Sequence, residues 1–125
     1  MDNAKLDTPI GTEEAVKLEP KPVKVTSIEV EQHKFGDREA DQLVVMVKHP
    51  DKQEPFQIYN VSYQKGKIIK TVGFTIYYDS TGKILKGTAI AELLRTMNCD
   101  TIRKLIGKEI QTVMSEKNYL ALKAY

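Results

Sequence analysis

The sequence predicts a mainly β domain with one helical insertion, a small five-stranded barrel from which one long hairpin extends. Three observations predict it. β-Branched and aromatic residues alternate with polar ones from Val23 to Tyr78, a single stretch with three-and-four apolar spacing follows at 88–97, and strand character returns at 108–125.

Each element follows in order. In "VKVTSIEVEQ" (23–32), Val23 and Val25 fall on one parity and Ile28 and Val30 on the other, so alternation slips at Thr26–Ser27, as a β-bulge requires. A loop, "HKFGDREAD" (33–41), precedes "QLVVMVKHP" (42–50), whose apolar run suits a strand covered on both faces. His49-Pro50-Asp51-Lys52 reads as a turn. In "EPFQIYNVSY" (54–63), Phe56, Ile58 and Asn60 oppose Gln57, Tyr59, Val61 and Tyr63, which places Tyr59 and Tyr63 on one strand face. The chain reverses at Gln64–Lys67 and returns through "IIKTVGFTIYY" (68–78), with Val72, Phe74, Ile76 and Tyr78 on one side. After the turn "DSTG" (79–82), Ile90, Leu93, Leu94 and Met97 line one face of a helix capped by Thr88. A second short helix spans 100–107, capped by Asp100 and ended by Gly107. "KEIQTVM" and "NYLALKAY" then form a closing hairpin across Ser115–Asn118.

A bulged first strand, antiparallel neighbours and a helix before the last hairpin follow the order of an OB-fold barrel. The other arrangement these elements allow is an α+β antiparallel sheet with two helices on one face. The strings "VEQHKFGDREADQLVVMV", "GKILKGTAIAELLRTM" and "IRKLIGKEIQTVMSEKNYLAL" resemble the layout of small OB-fold single-stranded DNA-binding proteins of phage, viral and archaeal type. That resemblance covers about residues 23–125 and implies nucleic-acid binding. The long 55–78 hairpin departs from the pattern.

Composition sets the functional frame. A chain of 125 residues, 41% hydrophobic and 29% charged, suits one soluble domain, and it holds no apolar run near the roughly 20 residues of a membrane span. Residues 1–22 read as a disordered tail and 23–125 as the domain. The tail lacks the pattern of a secretory signal, which makes the cytoplasm the expected compartment. Within it, Asp2, Asp7, Glu13, Glu14 and Glu19 face Lys5, Lys17 and Lys21, a net of −2. The whole chain carries +2, so the domain carries +4. Such a tail is a place for a protein partner to dock.

Catalysis has no visible constellation. Cys99 is the only cysteine and has no C-x-x-C partner, Ser62, Ser80 and Ser115 lie outside any G-x-S-x-G context, and the glycines are scattered as turn residues. His33 and His49, at opposite ends of one hairpin, are expected as exposed loop residues. Asp37, Glu39 and Asp41 are expected on a solvated loop. No cofactor, metal or enzymatic activity is expected.

What remains is "IYNVSYQKGKIIKTVGFTIYYD" (58–79), in which rings and lysines interleave. Single-strand binders stack bases on rings beside cations that track phosphates, and a tyrosine ring tolerates half-exposure with its hydroxyl wet. The candidate residues are Lys34, Phe35, Arg38, Tyr59, Tyr63, Lys65, Lys67, Lys70 and Tyr77. The function expected is therefore non-catalytic binding of single-stranded nucleic acid, DNA in the first instance. The competing expectation is an interaction module that uses the edge of the 55–78 hairpin to form a homo-oligomer, since tyrosines also suit half-buried strands and lysines keep edges apart.

Overall fold

A computed structural model describes residues 3–11 and 18–125, with Asn3, Ala4 and Phe35 described by backbone alone. Within the expected disordered tail, 1–2 and 12–17 lie outside the described residues. Among those described, the chain is mainly β, with eight strands, one α-helix and two short 3-10 turns.

Strand β1 (Val23–Phe35) and strand β2 (Arg38–Lys48) form a long antiparallel hairpin. The register shifts between Val25 and Ser27, so the expected bulge is present. Thr26 is the extra residue, and its hydroxyl donates to the Met46 carbonyl at 3.2 Å. The one insertion lets Val25 and Ile28 stand on the same face despite their spacing of three. The loop expected at 33–41 is instead strand. The chain turns tightly at Gly36–Asp37, with Gly36 at φ 63°, a conformation glycine adopts without Cβ strain.

Strands β3 (Phe56–Ile58) and β4 (Asn60–Lys65) are one run of chain interrupted at Tyr59. Strand β3 pairs with β2, while β4 pairs with β5 (Ile68–Val72) and, in parallel, with β8 (Leu120–Ala124). Beyond β5, the chain bridges Thr75 to Gln42 of β2. The last hairpin strand is likewise divided: β6 (Glu109–Ile110) pairs with β1, and β7 (Thr112–Met114) pairs with β8. Two four-stranded sheets result, β3-β2-β1-β6 and β5-β4-β8-β7. They meet at the corners Tyr59 and Gln111, which makes the architecture barrel-like.

Helix α1 (Ala89–Thr96) buries Ile90, Leu93 and Leu94 against strands β4 and β8. Thr88 is its N-cap residue, yet its hydroxyl donates back to the Leu85 carbonyl at 2.7 Å rather than into the helix. The second expected helix is only a 3-10 turn, Ile102–Leu105, and Asp100 pairs with Lys104 at 2.8 Å instead of capping it. The core joins Val25, Leu43, Val45, Val47, Ile58, Val61, Phe74, Ile90, Leu93, Ile110 and Leu122.

His49 corrects the sequence reading. It is fully buried rather than exposed. Its Nδ1 accepts the Asp51 backbone N–H at 3.0 Å, so Nε2 carries the proton and donates to the Glu19 carbonyl at 2.8 Å. Thr112 donates its hydroxyl to the Lys21 carbonyl at 2.7 Å, and the Lys21 ammonium pairs with Asp51 at 2.8 Å. Glu19 and Lys21, assigned from sequence to the tail, are thus fastened to both sheets.

Candidate nucleic-acid interface

Strict alternation fails at one place that matters. Ile58 and Val61 are both buried, three residues apart rather than two. The two residues between them, Tyr59 and Asn60, therefore both turn away from the core at the corner between sheets. Tyr59 is 62% exposed. The same break places Tyr63 on the core side with Val61, where it is only 8% exposed and has no face to offer a base. Tyr59 and Tyr63 do not share a surface, and Tyr63 leaves the set of stacking residues.

Tyr77 lies on the same outer side as Tyr59. Phe74 and Ile76 point inward and are buried; their backbones bond to β2, Leu43 N–H to Phe74 O at 2.9 Å and Ile76 N–H to Asp41 O at 2.8 Å. Thr75 and Tyr77 alternate outward, and Tyr77 is 57% exposed. Gln42 and Thr75, opposite one another, fill the space between Tyr77 and the corner. The corner itself is close packed, since a Cβ on Gly73 would stand 3.8 Å from the Tyr59 carbonyl and 3.9 Å from the Gln42 amide.

Arg38 and Tyr77 share one recess of about 780 Å³ with Gln32, Glu39, Asp41 and Tyr78. Its two carboxylates are engaged: Asp41 accepts the Tyr78 hydroxyl at 2.6 Å, and Glu39 accepts the Gln32 amide at 3.0 Å. The bond to Asp41 raises the Tyr78 phenol above its ordinary pKa, with burial adding a smaller push. Asp37, Glu39 and Asp41 thus sit at a turn and on β2, not in an open loop, and no group of metal-ligating side chains occurs among the described residues.

The remaining cations are dispersed. Lys34 is exposed and stands opposite Glu39. Phe35 is the last residue of β1, and its side chain lies outside those described. Lys65 and Lys67 flank the exposed turn of the β4–β5 hairpin. Lys70 stands opposite Tyr63, on the face away from Tyr59. The cluster of rings and lysines expected at this hairpin is therefore split between its two faces.

Two rings the sequence reading passed over take their place. On β8, Leu120, Leu122 and Ala124 point toward the core side, while Tyr119, Ala121, Lys123 and Tyr125 take the outer parity. Lys123 holds its ammonium 5.0 Å from the centre of the Tyr125 ring, a cation–π contact. The Tyr-x-Ala-x-Lys-x-Tyr alternation was the signal available, the same ring-and-cation pattern found at 58–79.

Charge sets a boundary. Across β1 the outer row includes Glu29 and Glu31, opposite Val44 and Gln42 of β2. That row carries negative charge, which would repel a polyanion. Comparison with protein-family models, curated proteins and solved structures finds no match, so the interface stands on its own geometry.

Proposed function

We propose that this domain binds single-stranded nucleic acid, DNA in the first instance, without catalysis. The observation that carries the reading is the pair of exposed rings, Tyr59 and Tyr77, on one outer side of β2 and its neighbours. Arg38, beside Tyr77, supplies a cation for the phosphates. We propose also that the barrel is an OB-fold. In its favour are the circuit of pairings β1–β2–β3/β4–β8–β7/β6–β1, the one parallel pair among the described residues and the bulged first strand.

A titration of labelled single- and double-stranded oligonucleotides tests the function. Tyr59→Ala and Tyr77→Ala should each weaken single-strand affinity about tenfold, within the roughly 1–3 kcal/mol of a stacked base. With three or four phosphates neutralised, the log–log salt slope should be about −2 to −3. A salt-independent complex, or wild-type affinity in both variants, would refute the reading.

A second reading has its own support. Strand β5 is the outer strand of its sheet and is exposed throughout, with Ile68, Ile69 and Val72 open to solvent. Such an edge can pair with a strand of another copy. Ile68→Lys should abolish an oligomer in sedimentation analysis if that edge assembles the protein, and leave oligonucleotide binding unchanged.

A further inference from the structure

On the outer face of the second sheet lies a cleft of about 380 Å³, floored by Asn60, Ser62 and Thr71 and walled by Ile69, Tyr119 and Tyr125. Asn60 and Val113 both stand opposite Ala121. Ala121 is fully buried beneath that row and outside the main core cluster, and Val113 and Met114 complete the lining of the cleft. On the far side, the 115–119 turn rises over the sheet. Ser115 N–H donates to the Tyr119 carbonyl at 2.8 Å, the Ser115 hydroxyl accepts the Tyr119 N–H at 3.0 Å, and Asn118 takes φ 62°, which holds Tyr119 as a wall.

We infer that this cleft receives one nucleobase of the strand that crosses Tyr59, and that Asn60 reads its edge. The inference rests on the proposed nucleic-acid reading and adds a site that reading does not contain. Continuity identifies the occupant. Tyr59 and Asn60 are consecutive, both turned outward by the break in alternation, so a base stacked on the ring has its neighbour delivered to the cleft. The chemistry suits a base rather than a phosphate. Tyr119 is 58% exposed and offers a ring face, while Asn60 presents both an amide donor and a carbonyl acceptor, the pair a base edge requires. Ser62 and Thr71 hydroxyls are already bonded to each other at 2.7 Å and make a quiet floor. Glu116 stands on the rim and disfavours a phosphate within, whereas Lys117 beside it and Lys123 on β8 lie where the backbone would pass.

The test titrates the full chain with four fluorescein-labelled homo-oligonucleotides, oligo-dT, -dC, -dA and -dG, for wild type, Tyr119→Ala, Asn60→Ala, Val113→Phe and Tyr59→Ala. Circular dichroism verifies that each variant is folded. Tyr119→Ala and Val113→Phe should weaken binding about tenfold, one by removing a wall and the other by filling the cleft. Asn60→Ala should compress the spread of affinities among the four bases. If Tyr59→Ala loses affinity while the three cleft variants match wild type, the cleft assignment is overturned and the proposed function stands. If wild type binds none of the oligonucleotides, both fall. A change of oligomeric state in Tyr119→Ala with unchanged oligonucleotide affinity would also overturn the assignment, making the cleft a contact between copies.

Discussion

At the scale of the residue, Tyr78 shows how one hydrogen bond sets a titration. Its phenol donates to a carboxylate, and losing the proton would place two anions in contact. The folded-state pKa is therefore above the ordinary 10.0. A group raised in this way contributes stability that is complete below the ordinary value and disappears as pH climbs through the folded one. Tyr78→Phe should delete a phenolate step above the ordinary range from an absorbance titration at 295 nm; an unchanged alkaline limb would disprove the assignment. Tyr63 teaches a complementary lesson. Its spacing from Val61 was legible, but Tyr59 two residues before Val61 seemed to share that face. Nothing in a one-dimensional alternation marks the corner where a strand leaves one sheet for another, since the marker is the identity of the partner strand on each side.

At the scale of the element, the arms of the sheets explain both successes and failures of the sequence reading. The bulge at Thr26 was visible because apolar residues on either side, Val23 and Val25 before it and Ile28 and Val30 after it, each keep a fixed parity. The outer ends of β1 and β2, within 33–41, were read as loop because that arm carries mostly polar residues, and the side chains described there are largely exposed. Strand pairing there comes from backbone ladders, which leave no hydrophobic period. Beyond β5 the chain reaches Phe74, which is 1% exposed and whose carbonyl accepts the Leu43 N–H, so Phe74 joins the Thr75 and Ile76 links in fastening the returning arm to β2. Phe74→Ala should cost about 3–5 kcal/mol in urea unfolding, the usual range for an aromatic removed from a packed core. A loss below about 1 kcal/mol would mean that the arm is not held there.

At the scale of the whole molecule, a few carboxylates contribute to stability in acid. Asp51 is held below the ordinary 3.8 chiefly by the Lys21 ammonium, Asp79 by Thr81 and the backbone N–H groups of its turn, and Asp100 chiefly by Lys104. Each is a stronger acid when folded. Its contribution is present in full above the ordinary carboxylate value and is lost as pH falls through the lower folded one. The melting temperature should therefore decline below about pH 4, and Asp79→Asn should flatten that decline. An identical acid profile in Asp79→Asn would exclude the turn as a contributor. Asp51 also ties the Glu19–Lys21 segment to the domain, so acid loosens that fastening along with the turn.

The parallel pair of β4 with β8 has a kinetic consequence. The β1–β2 hairpin needs only a two-residue reversal to begin zipping, whereas Asn60 must find Ala121 after everything between them has been threaded into place. Contacts so distant along the chain assemble late, because the entropy of closing the loop is met before any contact rewards it. During that interval the unpaired flank of β4 is available to other molecules. Refolding at high concentration thus sets a race between self-completion and aggregation.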